Sequence, residues 1–125
     1  MRKSDFEHLE ARLTFRNRTS NYTVGEKEFR VVREFREKGL VFEVPRKSCA
    51  LGHALDFEVT LRGAAKSCRL IGAGRVIEVD AVDDELQTIV IEFFQYSEPE
   101  WSKLRELYAS RQEEILSLLQ NIRGF

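Results

Sequence analysis

The chain is poor in the residues on which small specialised domains depend. Its two cysteines, Cys49 and Cys68, are too few for a disulfide framework, and neither stands at a Cys-x-x-Cys or Cys/His metal spacing. They read as reduced and buried. Two prolines and seven glycines in 125 residues exclude a collagen-like chain and a Pro/Gly-rich disordered one, and leave no linker that would divide the chain. No run approaches the ~20 apolar residues of a membrane span. The N-terminus MRKSDFEHLE carries acids where a signal peptide would be apolar. A net charge of −1 gives no overall field that would draw DNA, RNA or an anionic membrane. These absences indicate one cytoplasmic, soluble domain with no resident cofactor and no metal.

The enzyme inventory is equally thin. Only His8 and His53 are present, and neither has a partner at the spacing of a catalytic relay. His53 follows Cys49 by four residues, so a thiolate pair is conceivable, but a turn histidine beside a buried thiol is the stronger reading. Asp80, Asp83, Asp84 and Glu85 lack the glycine and terminal glutamate of a calcium loop and suit a solvated turn. No phosphate-cradling glycine motif occurs; Gly72-Ala-Gly74 alone is weak. The chain does not read as an enzyme.

Strand-like alternation, by contrast, is plentiful. Phe29, Val31, Arg33 and Phe35 alternate with Arg30, Val32, Glu34 and Arg36, Gly39 interrupts, and Leu40, Phe42 and Val44 resume, so 28–36 and 39–45 pair as a hairpin. In ALDFEVTLR, Leu55, Phe57, Val59 and Leu61 take one face and Asp56, Glu58, Thr60 and Arg62 the other, a half-buried antiparallel strand. Residues 67–80 and 86–96 add two strands across an acidic turn, with Gly72 and Gly74 marking a bulge. No helical period lies between consecutive strands, so five or six of them favour a small antiparallel β-barrel over a βαβ sheet.

Both ends differ from this middle. Ser4 and Glu7 form a capping box that would open a short N-terminal helix through Leu9 and Leu13. After Ser97 and Glu100, a second box, Trp101, Leu104, Tyr108, Arg111, Ile115, Leu118 and Ile122 repeat at steps of three and four, a helix over 97–123. That helix is longer than the side of a small barrel. Its distal half, Ile115–Ile122, therefore offers a surface for a protein partner or a second copy of the chain.

Charge is uneven: residues 1–62 carry 13 basic and 10 acidic groups, 63–125 only 7 and 11. The excess lies among Arg12, Arg16, Arg18, Lys27, Arg30, Arg33, Arg36 and Lys38. A guanidinium presents a planar fork that engages phosphate oxygens or the O6 and N7 acceptors of guanine. A solvated strand face would carry the same residues.

In order and spacing these elements resemble the PilZ domain, a bacterial family of small β-barrels that bind cyclic di-GMP. The resemblance covers roughly residues 12–122 and rests on Arg12-Leu-Thr-Phe-Arg16 as an R-x-x-x-R element, EFREKGLVFEV (34–44), ALGHALDFEVTL (50–61), GAGRVIEVD (72–80) and TIVIEFFQYSEPEW (88–101). It implies an N-terminal segment (1–23) carrying Arg12 and Arg16 over a barrel (24–96), with cyclic di-GMP gripped by the two arginines. The family's [D/N]-x-S-x-x-G motif falls on Glu34, Arg36 and Gly39, where glutamate replaces Asp or Asn and arginine replaces serine. Two functions follow from the resemblance. One is a cyclic di-GMP-responsive module that signals to a protein partner; the other is a degenerate adaptor that has lost the nucleotide and works by protein contacts alone.

Overall fold

The computed structural model describes residues 11–62 and 67–122, the side chains of 111–122 and of Glu26 excepted. In chain order these residues form β1 (Ala11–Asn17), β2 (Thr23–Val24), one 3-10 turn (Glu26–Glu28), β3 (Arg30–Arg36), β4 (Gly39–Pro45), β5 (Ala54–Arg62), β6 (Ser67–Ala81), β7 (Leu86–Tyr96) and α1 (Glu98–Ile122). The strands run in the order β1-β3-β4-β7-β6-β5, and β5 returns to β1, closing a six-stranded antiparallel barrel. Closure leaves no long unpaired edge. The two-residue β2 continues the side of β1 that β3 vacates.

Period-two alternation produces this arrangement. Leu55, Phe57, Val59 and Leu61 point inward from β5, Phe42 and Val44 from β4, and Ile89 and Ile91 from β7, all buried in one core. Burying a side chain of this size contributes roughly 1.5–3 kcal/mol. The hairpin expected over 28–45 forms, with Phe35 opposite Leu40 and Arg36 opposite Gly39. The expected bulge also forms, as a register shift between Ala73 and Gly74.

The first strand is where the structure corrects the sequence reading. Leu13 stands in β1 and not in a helix, and the Ser4–Glu7 cap lies outside the described residues. Ala11, Leu13, Phe15 and Asn17 are buried while Arg12 and Arg16 are exposed, a strand alternation that the capping signal does not override. β1 pairs with β5 from Ala11↔Leu61 to Asn17↔Leu55. The barrel therefore includes residues 11–17, ahead of the expected boundary at 24, and the arginine element is part of its wall.

Helix α1 begins where expected, with the Ser97 hydroxyl accepting from the Glu100 amide at 3.4 Å. Its first turns close one end of the barrel. Trp101 and Leu104 are buried, the Trp101 indole Nε1 donates to the Glu37 carbonyl at 2.9 Å, and Phe35 meets the rings of Trp101 and Tyr108 edge-on at 5.6 and 4.5 Å. The Trp101–Tyr108 half of the stripe thus packs on the protein's own barrel. No helix among the described residues is long and apolar enough to cross a membrane.

Candidate functional site

Strand geometry decides what the R-x-x-x-R element can do. Four residues along a strand separate the Cα atoms of Arg12 and Arg16 by ~13 Å and place both on the same face of β1. Both face outward. Arg12 lies over the ring of Phe29, its Cζ 4.4 Å from the centroid, which leaves the cation against an apolar face. Arg16 borders a shallow hollow of about 420 Å³ with Thr14, Thr23, Asp56, Glu58 and Gly72.

Glu34, Arg36 and Gly39 belong to the β3–β4 hairpin, roughly 23–30 Å from Arg16 along the strands by register and spacing. The register sets Arg16 apart from the hairpin, while Arg12, opposite Val31, lies about 10 Å along β3 from Glu34. Glu34 and Arg36, two apart on one face of β3, pair with each other at 3.7 Å. Gly39 has a steric role: a Cβ there would run into the Ile91 carbonyl of β7. Beside the hairpin, Arg36 and Gly39 border a separate hollow of about 500 Å³ with Ile77 and Glu92.

Around Arg16 the structure assembles residues that the sequence reading passed over. Arg18 grips Asp56, its Nε donating to Oδ2 at 2.8 Å and its Nη2 to Oδ1. That hydrogen bond holds the Asp56 carboxyl below the usual carboxylate range, and the Arg16 charge adds a smaller pull in the same direction. By strand register, Arg16, Asp56, Ala73 and Gln95 line up across β1, β5, β6 and β7. A second hollow of about 450 Å³ lies over Gly72 and Ala73, walled by Arg18, Asp56, Ile71 and Gln95. It shares Asp56, Ile71 and Gly72 with the first. Beside it the half-exposed ring of Phe94 has Arg18 and Arg75 within 5.8 and 5.7 Å of its centroid.

A buried polar cluster holds this end of β1 in place. Asn17 is fully buried in a row of apolar neighbours, and every polar atom of its amide is used. Its Nδ2 donates to the Ser48 carbonyl at 3.2 Å and to His53 Nδ1 at 3.0 Å, while Oδ1 accepts from the amides of Thr19 and Ser20 at 2.9 and 3.2 Å. His53 Nδ1 also accepts from the Ala50 amide at 3.2 Å, so its ring proton sits on Nε2. Its ring is thus engaged by Asn17 and Ala50. Burial pushes the Cys49 thiol up to about 11, opposite to what an activated nucleophile needs. Nothing in this cluster resembles a thiolate pair.

The acidic turn is likewise structural. Asp83 Oδ1 accepts from the amides of Glu85 and Leu86 at 2.7 and 2.8 Å, and these bonds lower its pKa. Among the described residues no group of three His, Cys, Asp or Glu side chains could hold a metal.

The barrel with its long C-terminal helix is a PilZ-like fold. No protein-family model and no curated protein sequence matches the chain. Among solved structures it is similar to the Bacillus subtilis inhibitor of motility, MotI/DgrA, with a TM-score of 0.65 and 10% sequence identity over 84% of this chain. The match covers 48% of that protein, so the chain spans about half its length. At this identity the likeness establishes the fold alone.

Proposed function

We propose that the chain is a PilZ-like signalling module that binds cyclic di-GMP on the outer wall of its barrel and passes the event to a protein partner, without covalent chemistry. The supporting observation is the position of Arg16. It is exposed, has no carboxylate within salt-bridge distance among the described residues, and borders a hollow that also presents Asp56 and Glu58. A guanidinium suits phosphate oxygens or the O6/N7 edge of guanine, and a carboxylate suits the N1–H and N2–H donors of the same base. Arg12, a strand turn-length away and stacked on Phe29, meets a different part of the dinucleotide. Glu34, Arg36 and Gly39 stand too far off to share the ligand with Arg16.

Calorimetric titration with cyclic di-GMP tests this. Binding in the micromolar range is expected, weakened by Arg16→Ala by about 2 kcal/mol, as for a lost charge-assisted hydrogen bond. Arg12→Ala should cost less. Absence of heat at high ligand concentration rejects the receptor reading in favour of an adaptor that works through protein contacts.

A further inference from the structure

We infer that the outer face around Phe94 carries a purine-nucleotide subsite in which Arg18 and Arg75 hold phosphate oxygens and the Phe94 ring stacks a base. This deepens the reading given above, since cyclic di-GMP would then lie across Asp56, from the Arg16 hollow into this one.

Three features carry the inference. The first is that both arginines are anchored before any ligand arrives. Arg18 spends Nε and Nη2 on Asp56, and Arg75 donates Nη1 to the Gly52 carbonyl at 2.9 Å. Each guanidinium has five N–H donors, so both keep an edge for an anion. A fork already immobilised loses less freedom on binding than a free surface arginine.

The second feature is Phe94 itself. It is 49% exposed on a strand whose neighbouring Phe93 is buried in the aromatic core. Successive residues of β7 face opposite sides, so the FF pair must expose one ring. Arg18 and Arg75 lie over part of that ring, and a base of any kind can stack on the portion left exposed, with the two cations beside its phosphate.

The third is the floor. Ala73 takes the register position between Asp56 and Gln95 and is itself covered, 1% exposed, so its small side chain lies beneath the hollow. At Gly72 a Cβ would come within 2.5 Å of the Gln95 carbonyl, so the backbone there approaches β7 too closely for any side chain. The space left is walled by acceptors, Asp56 and Gln95, that match the donor edge of guanine. Three arginines, Arg16, Arg18 and Arg75, face Asp56, Glu58 and the strand neighbour Glu92, so the charges across the face balance and anion contacts fall to the donors the carboxylates leave free.

The test is calorimetry with two probes, cyclic di-GMP and GMP, on the wild type, Phe94→Ala, Arg75→Ala and Arg75→Lys. Phe94 and Arg75 are exposed, so the variants should keep the wild-type melting temperature. Phe94→Ala and Arg75→Ala should each weaken cyclic di-GMP by about tenfold or more, and Arg75→Lys should recover only part of the loss. GMP, which fills this half by itself, should bind the wild type and lose affinity in Phe94→Ala. Wild-type affinity for both probes in Phe94→Ala and Arg75→Ala, alongside an impaired Arg16→Ala, would overturn the subsite while leaving the receptor reading intact. GMP binding sensitive to Phe94, with no binding of cyclic di-GMP, would support the subsite and overturn the receptor reading. No binding of either probe by the wild type would overturn both.

Discussion

Two arginine-bearing regions of the barrel carry similar residues to different ends. At the C-terminal end of β1, Arg16 and Arg18 stand over a buried polar cluster and beside two joined hollows, with Asp56 between them. At the β3–β4 hairpin, Glu34 and Arg36 answer each other's charge. The hairpin's glycine is explained by the close approach of Ile91. A motif position therefore means little until its neighbours are known: both arginines border a hollow, but Arg36 is paired with its own strand's glutamate while Arg16 has no such ion pair among the described residues.

The largest effect that separates the two regions concerns backbone packing. Gly39→Ala drives a Cβ into the Ile91 carbonyl, which can be relieved only by parting β4 from β7, and should destabilise the fold by about 3 kcal/mol. Gly25 adopts extended φ and ψ and a Cβ there meets nothing within 4 Å. Gly25→Ala should therefore be neutral or stabilise by about 0.5 kcal/mol. Urea midpoints of the two variants compare them directly; equal midpoints would return Gly39 to the list of ligand residues.

The next effect probes what supports the arginine end of β1. Cys49 is buried there, its carbonyl accepting from Gln87 Nε2 at 3.0 Å, and its folded-state pKa is raised from 9.0 to about 11 by desolvation. A raised pKa means that the stability from the protonated thiol is fully present below pH 9 and is lost as pH climbs to about 11, because the unfolded thiol ionises first. The loss should reach about 2 kcal/mol. Denaturant melts of wild type and Cys49→Ala across this window should converge as pH rises; parallel curves would mean that the thiol is hydrated in the native state.

Much of this architecture is legible in the chain because it is local. The alternation of Leu55, Phe57, Val59 and Leu61 names a strand, Gly39 names a turn, and Ser97 with the Trp101–Tyr108 spacing names a helix start and its buried stripe. Less legible was β1, where a capping box and two arginines four apart suggested a helix or a segment lying over the barrel. Its seven-residue pairing with β5, helped by shorter pairings with β2 and β3, fixes it in the wall, and the β5 register joins residues distant in sequence. The Arg18–Phe94–Arg75 group is hidden for the same reason, since the turn after β1 meets β6 and β7 there only after closure. Asn17 did leave a signal: a polar residue at an inward position of an apolar alternation has to find partners, and it finds them in the Ser48–His53 loop.

The smallest expected effect is the sharpest test of the division between the regions. The Arg36–Glu34 pair spans 3.7 Å between side chains 47% and 59% exposed, and pairs of this kind contribute little because water screens them. Arg36→Ala should change stability by no more than about 0.5 kcal/mol. Cyclic di-GMP affinity should be unchanged, since Arg36 and Arg16 cannot reach one ligand. Glu34→Gln should behave alike. If calorimetry instead found a tenfold loss in Arg36→Ala with the melting temperature preserved, the ligand would have to sit at the hairpin. Arg16 would then be the solvated cation of the two.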